Sequence, residues 1–200
     1  MYTVIGGLAS RTFRVIWMLE ELGQPYEHRS EAPHSEAVCA LNPSGKIPLL
    51  LVGDAVLNDS TAILHHLADR HGALAFPAGS LERARQDALT FTLLDTLEGV
   101  LWTASKHSFV LPEERRVPAA KESLRWEFAR NAATFEAGMG TGPWLMGETF
   151  TVPDILLAHI WRWAAVARFT AEVPKITAHA ARCAERPAFQ RTAARAKPAA

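Results

Sequence analysis

An excess of charge of either sign is missing from this chain. Its 21 Lys and Arg residues balance 21 Asp and Glu, so no net field argues for nucleic acid or an anionic membrane surface as a partner. Cysteine is scarce: the two cysteines, Cys39 and Cys183, lie far apart without the spacing of metal ligands. Neither a disulfide framework nor a metal site is expected, and a reducing, cytoplasmic setting fits. No uninterrupted apolar run is long enough to span a bilayer. The opening Met1-Tyr2-Thr3-Val4-Ile5-Gly6 has no basic region followed by a long apolar stretch, so no signal peptide is expected. Internal repeats and low-complexity segments are lacking too, apart from an Ala-rich basic end, Arg191 to Ala200, which is expected to fray. The 200 residues that remain to be explained are 48% hydrophobic and 21% charged, enough to bury a core in one large domain or two small ones.

The most informative stretch runs from Asn42 to Ala62. Asn42-Pro43-Ser44-Gly45 is a turn by composition, and Pro48 stands at the mouth of the apolar run Leu49 to Val52, where a strand should begin. A proline donates nothing to a sheet and belongs at a strand's first residue, an edge or a tight bend, where cis X-Pro bonds are found. A cis Ile47-Pro48 bond would turn the Ile47 backbone outward and offer its N–H and C=O to an extended peptide ligand. Gly53-Asp54 separates two apolar runs and reads as a hairpin turn. Asn58-Asp59-Ser60 then opens the helical pattern Ala62, Ile63, Leu67. An acid and a hydroxyl at a helix N-terminus suit small charged groups, because free N–H groups attract a carboxylate while Asp59 can pair with an ammonium. A hairpin merely capped by Asp59 is the structural alternative.

Upstream, Tyr2 to Ile5 is a β-rich run ended by Gly6-Gly7, and Thr12 to Leu22 carries Phe13, Val15, Ile16, Leu19 and Leu22 at helical spacing. The intervening loop delivers Ser10 and Arg11 to the helix start. Pro25-Tyr26-Glu27-His28 suggests a second strand and His34 to Leu41 a short helix. Downstream, Gly72 to Ser80 reads as a linker ending in a Ser N-cap. From Leu81 to Lys106 apolar residues recur at helical spacing. A second long helix, about Ala119 to Ala137, carries Leu124, Phe128, Ala132 and Phe135 on one face. After the glycine-rich turn Gly138 to Gly147, Thr151-Val152-Pro153-Asp154 places a Thr N-cap, a proline in the first turn and an acid three residues on. Phe150 and Ile155 can close over it as a staple.

Asn-Pro-x-Gly-Lys-Ile-Pro followed by Asp-Ser-x-Ala-Ile resembles the glutathione-binding half of a soluble glutathione transferase, and the strand and helix order matches that family's thioredoxin-like domain. The Thr-x-x-Asp box and Arg186-Pro187-Ala188-Phe189 resemble its C-terminal domain, so the likeness covers most of the chain. It implies an α/β thioredoxin-like domain over 1–75, a linker over 76–81 and an all-α helical domain over 82–200. It also implies glutathione as co-substrate, a cytoplasmic homodimer, and conjugation of the glutathione thiolate to a small, apolar electrophile. Residue by residue, Ile47 before Pro48 would pair with the cysteinyl backbone, Asp59 and Ser60 would hold the γ-glutamyl end, and Lys46 the glycyl carboxylate. Lys46 also reads simply as an exposed turn lysine. Asp59 stands where the family has Glu, one methylene shorter. Ser10, four residues before Arg14, resembles the catalytic serine of serine-type, bacterial-like members, although a helix-capping serine fits the same place. Tyr2 is the rival hydroxyl, at the very start of its strand. Trp102, His107 and Phe109 are candidate walls for the second substrate. An isomerase or peroxidase with the same site, or a non-catalytic ligand- or protein-binding member, are the alternative functions.

The active form of glutathione is the thiolate, and a thiol of ordinary pKa is only a few per cent ionised at neutral pH. A hydroxyl donating to sulfur lowers that pKa. A fall of about two would raise the thiolate fraction about twentyfold while nucleophilicity drops roughly six- to tenfold, leaving a gain of a few-fold. Most of the rate must then come from holding sulfur and electrophile together away from water. No cysteine occupies the first loop, where a disulfide-exchange enzyme would want one, and Cys39 is expected to be a small buried residue.

Overall fold

The computed structural model describes residues 1–196, which divide into two compact units. The first comprises Met1–Ala78 and the chain from Ala184 onward, the second Gly79–Cys183.

In the first unit, β1 (Tyr2–Ile5), α1 (Thr12–Glu21), β2 (Tyr26–Arg29), α2 (Glu36–Leu41), β3 (Leu49–Val52), β4 (Ala55–Asn58) and α3 (Ser60–His71) follow one another. The sheet has the order β2-β1-β3-β4. β2 runs parallel to β1, and β3 and β4 are antiparallel additions. The central strands supply the apolar floor, with Val4, Leu49 and Leu50 wholly buried. The edge strands β2 and β4 carry the exposed positions, polar on β2 and mostly apolar on β4. Eight consecutive residues of α1, Thr12 to Leu19, are buried. A helix covered all round needs neighbours on several sides, and α1 packs against β1, α3 and a last helix, α9 (Pro187–Arg195).

That last helix departs from the expected partition. The sequence reading put it with the helical domain and let the chain fray from Arg191. In the structure Phe189 sets its ring edge-on against Phe13 and Trp17, with centroids 5.4 and 5.0 Å away. Arg186 makes a two-pronged pair with Glu21, both contacts at 2.7 Å, and Arg191 meets Glu20 at 2.6 Å. Planar guanidinium–carboxylate pairing of this kind fixes orientation as well as charge. Residues 197–200 of the expected frayed end lie outside the described residues.

The second unit is helical: α4 (Leu81–Thr92), α5 (Gly99–Ser105), α6 (Ala120–Ala137), α7 (Val152–Ala167) and α8 (Pro174–Ala184). Ser80 caps α4 by accepting the Arg83 N–H at 3.1 Å. The long helix expected from 81 to 106 forms, but wide π turns occupy Leu93–Glu98 and Lys106–Val110. Such turns free carbonyls from the regular ladder. Here Thr96 Oγ1 takes the Thr92 carbonyl at 2.7 Å, Asn131 Nδ2 that of Thr96 at 2.8 Å, and Ser108 Oγ that of Ala104 at 2.6 Å. α6 buries Phe128, Ala132 and Phe135, three of the four residues of the expected stripe, with Leu124 partly buried, and Phe128 meets Trp161 and Phe169 at 6.2 and 5.7 Å between centroids.

The capping box at the start of α7 is formed, and Asp154 does more than cap. One carboxylate oxygen accepts the Thr151 N–H at 2.8 Å and its hydroxyl at 3.1 Å. The other accepts the Leu145 N–H at 2.8 Å and the His179 Nε2–H at 2.7 Å. Asp154, Thr151 and His179 are all buried, so one acid ties α7 to the preceding turn and to α8. Among the described residues no helix is long and apolar enough to cross a membrane, and no group of three His, Cys, Asp or Glu could hold a metal ion.

Candidate functional site

The register of the sheet decides which loops meet. Ile5 pairs with Arg29 and with Leu49, and Leu49 pairs with Asn58, so these residues form one row across the end of the sheet. The chain leaves that row at four places: after Ile5 into the loop holding Ser10, after Arg29 toward α2, before Leu49 through Ile47-Pro48, and after Asn58 into Asp59-Ser60; the first and last two carry the candidate residues. Residues scattered over fifty positions therefore share one edge. Direct contacts confirm it. A Cβ placed on Gly6, whose φ is +132°, would meet Ile47 Cβ at 2.9 Å and collide with Thr12 Oγ1. Only glycine lets the strand end approach both so closely.

The Ile47-Pro48 bond is cis, and Pro48 is buried at the strand's mouth. Among the described residues neither the Ile47 N–H nor its C=O has a hydrogen-bond partner. The turn before it is closed by Asn42. Its Nδ2 donates to the Lys46 carbonyl at 3.0 Å, while its Oδ1 accepts the Ser44 N–H at 3.2 Å and hydroxyl at 2.9 Å. The Lys46 side chain is exposed. His34, expected at the start of the second helix, lies before α2 (Glu36–Leu41) and comes to this turn. Its N–H donates to the Gly45 carbonyl at 2.8 Å, and its imidazole lies over Gly45, where a Cβ would run into it.

Asp59 takes the N-cap of α3 with φ 64°, ψ 118°, a backbone region that costs a non-glycine residue about 1–3 kcal/mol and clusters at functional sites. Its Oδ1 accepts the N–H groups of Thr61 at 2.9 Å and Ala62 at 3.0 Å, while Oδ2 has no partner among the described residues. Ile63 N–H reaches the Asp59 carbonyl at 3.0 Å, which leaves the Ser60 N–H without a partner among the described residues. The Ser60 hydroxyl is buried and accepts from Arg14 Nη1 at 3.4 Å. An unpaired carboxylate oxygen, an open N–H and a hydroxyl beside a guanidinium thus stand within two residues. Together they can hold a zwitterionic amino-acid head.

Ser10 is partly buried. Its hydroxyl donates to the Gly7 carbonyl at 2.7 Å, accepts the Thr12 N–H at 3.1 Å and lies 2.9 Å from the Thr12 hydroxyl. The loop is therefore closed by the serine, which is the capping alternative in a shifted form, since Arg11 holds the N-cap position and its side chain does not cap the helix. Tyr2 stands at the other end of the strand, paired with Val52. Its hydroxyl is 2.8 Å from His71 Nε2 in the last turn of α3, away from the row where Ser10, Ile47 and Ser60 gather.

Cys39 is exposed rather than buried. α2 buries a single residue, Val38, against Ile5 and Leu49, and the next position on so short a helix turns away from the core. In the second unit, Trp102 is half-buried on α5, Phe109 is 68% exposed, and His107 Nδ1 accepts the Val117 N–H at 3.2 Å. The residues that sequence reasoning missed are Gly6, Thr12 and Arg14. Gly6-Gly7 announced a turn, but nothing local announced that Thr12 and Arg14 would back the two serines.

Comparisons with known proteins converge. Residues 9–75 match the family model for the glutathione S-transferase N-terminal domain and residues 95–187 that for the C-terminal domain. Glutathione S-transferase GstB of Escherichia coli K12 is 30% identical over 157 residues, 72% of this chain and 74% of that protein. The theta class glutathione S-transferase of Xanthomonas axonopodis pv. citri, solved with glutathione bound, is 28% identical with a TM-score of 0.78 over 96% of each chain. The glutathione transferase URE2P6 of Phanerochaete chrysosporium, solved with oxidised glutathione, shares the fold with a TM-score of 0.85 at 23% identity, over 98% of this chain and 96% of that one.

Proposed function

The chain belongs to the glutathione S-transferase family, and from that premise we propose that the three loops at the end of its first sheet are the glutathione site. The chain is a glutathione transferase with glutathione as co-substrate, and the geometry supports the following role for each residue. Ser60, through its hydroxyl and open N–H, takes the γ-glutamyl carboxylate, and Asp59 Oδ2 takes the ammonium. The Ile47 N–H and C=O pair with the cysteinyl backbone, as a strand edge does with an added peptide. Lys46, exposed beside them, meets the glycyl carboxylate.

Ser10 completes the site by donating its hydroxyl proton to sulfur. Its proton now rests on the Gly7 carbonyl, which also accepts the Ser10 N–H at 3.1 Å. When the hydroxyl turns to sulfur, that carbonyl keeps a donor, so the redirection strands no polar group. The thiol proton leaves to solvent, the thiolate forms a bond to an electrophilic carbon of a small apolar substrate, and the leaving group departs with its electron pair. Trp102, His107 and Phe109 are proposed as contacts for that substrate. A cytoplasmic homodimer is the proposed working form.

The observation that carries this reading is the row Arg29, Ile5, Leu49 and Asn58, which sets the three loops side by side. Calorimetry of glutathione binding to the wild-type chain and to Ser60→Ala tests it, with conjugation of a generic aryl halide assayed alongside. Loss of a hydrogen bond to a charged carboxylate costs about 1.5–3 kcal/mol, which is roughly ten- to a hundredfold in Kd. Binding weakened to that degree with turnover in the wild type is expected. Equal affinity in the two chains would overturn the assignment of Ser60, and no binding at millimolar glutathione would sink the site.

A further inference from the structure

We infer that Thr12 is a positioning residue that makes the Ser10 hydroxyl an obligate donor. The inference rests on the reading of Ser10 as the group that meets the glutathione sulfur. Thr12 is wholly buried at the start of α1. Its hydroxyl has one polar partner among the described residues, the Ser10 hydroxyl at 2.9 Å. A buried hydroxyl hydrogen without an acceptor is costly, so the Thr12 proton goes to Ser10 Oγ. That oxygen also accepts the Thr12 N–H at 3.1 Å.

A serine hydroxyl has two acceptor lone pairs and one proton. Thr12 therefore occupies both lone pairs of Ser10, from one residue, through its backbone and its side chain. The remaining Ser10 proton points away, toward the Gly7 carbonyl at 2.7 Å in the absence of substrate.

The chemical consequence concerns which form of glutathione the serine recognises. A hydroxyl with a free lone pair can meet a neutral thiol by accepting its S–H, or a thiolate by donating to it, and so discriminates weakly. Hydrogen bonding to the charged form lowers a pKa, and bonding to the neutral form raises it. With both lone pairs filled, Ser10 can only donate, and the thiolate is the better acceptor. The two incoming bonds also polarise the Ser10 O–H and strengthen it as a donor.

Packing holds the arrangement in place. The Thr12 hydroxyl lies against Gly6, on the same side as Ile47, whose Cβ is within 2.9 Å of any Cβ placed there. The threonine hydroxyl is thus held between the strand end at Gly6 and the serine.

The test is the apparent pKa of enzyme-bound glutathione, read from the ultraviolet absorbance of the thiolate as a function of pH. Five chains are compared: wild type, Ser10→Ala, Thr12→Val, Thr12→Ser and Ser10→Ala/Thr12→Val. Thr12→Val keeps the shape and removes the hydroxyl, whereas Thr12→Ser keeps the hydroxyl and removes the methyl, so a shift in Thr12→Ser would place the effect on the methyl and overturn the role of the hydroxyl. Ser10→Ala should raise the bound-thiol pKa by about one to two. Thr12→Val should raise it by about half as much while glutathione Kd at a pH below both values stays within about twofold. Thr12→Ser should restore the wild-type value, and in the double variant the valine should add nothing.

A shift with Ser10→Ala but none with Thr12→Val overturns the role of Thr12 and leaves Ser10 standing. An equal further rise in the double variant means Thr12 acts on sulfur directly, which also overturns it. No shift with Ser10→Ala rejects the reading of Ser10 on which the inference rests. Should Thr12→Val fail to fold, the comparison of Thr12→Ala with Thr12→Ser reads the same quantity, with the same outcomes.

Discussion

Replacing Asp154 with alanine removes one carboxylate and leaves four donors facing its place: the Leu145 N–H, the Thr151 N–H and hydroxyl, and His179 Nε2–H. Loss of a helix cap costs about 1 kcal/mol, and a buried donor left without an acceptor about 1–3 kcal/mol. The hydroxyl and the imidazole can turn toward other partners, but the Leu145 N–H belongs to a turn whose Trp144 and Gly147 are already bonded to each other at 3.0 and 3.1 Å. It cannot follow a retreating acceptor. The expected loss for Asp154→Ala is therefore roughly 3 kcal/mol. Asp154→Asn keeps one acceptor oxygen and turns an NH2 group toward donors, at a cost of about 2 kcal/mol. Asp154→Glu keeps the charge but must fit a methylene into a site with no exposure, also about 2 kcal/mol. Urea unfolding at neutral pH measures all three. With a slope of about 2 kcal/mol per molar, the alanine midpoint should fall by about 1.5 M. Glutathione affinity below the transition should be unchanged, because none of the proposed glutathione contacts lies in residues 79–183. A loss under about 1 kcal/mol for alanine would refute the reasoning, since it would mean that the donors find other acceptors and the acid is a cap alone.

Two further outcomes follow from the first unit. Tyr2→Phe removes the bond to His71 at the far end of the sheet. It should cost about 1 kcal/mol of stability and leave kcat/KM within about twofold; a loss of a hundredfold or more would make tyrosine the sulfur's partner in place of Ser10. Glu20 is opposed by its burial, but the hydrogen bonds from Arg191 and Tyr26 and the charges of Arg191 and Arg195 together hold its carboxyl below the ordinary value of 4.5. A carboxylate with a depressed folded-state pKa stabilises above its unfolded value, and that contribution is lost as pH falls through the folded one. Hydrogen-exchange protection of α9 should therefore weaken below about pH 4.5 in the wild type. In Glu20→Gln that acid-dependent part should be missing, and an unchanged profile would show that the α1–α9 contact does not depend on this charge.

Much of the fold was legible because its signals are local. The first helix, the hairpin at Gly53, the Ser80 cap and the Thr151–Asp154 box all use hydrogen bonds closed within a few residues, so neighbours in sequence suffice to specify them. The motif from Asn42 to Ser60 was legible for the same reason. Asn42 builds its turn from its own next residues, and Asp59 caps the helix that follows it. Even the π turns rest on local chemistry, through Thr96 and Ser108 bonding four residues back, but periodicity alone cannot separate one wide turn from a regular one.

Only the tertiary structure decided the rest, because the partners are distant in the chain. Phe189, Arg186 and Arg191 find α1 across more than 160 residues, so the last helix joins the first unit instead of fraying. Cys39 faces water because Val38 alone fills the contact with Ile5 and Leu49. Tyr2 and Ser10 both end hydroxyls near one strand, and register assigns them opposite ends: Tyr2 beside Val52, Ile5 beside Leu49. The sequence by itself determined which groups could recognise an amino-acid head, a peptide backbone and a thiol. Strand register and close packing at Gly6 determined that they stand together, since hydrogen-bond ladders align residues by position across strands and not by distance along the chain.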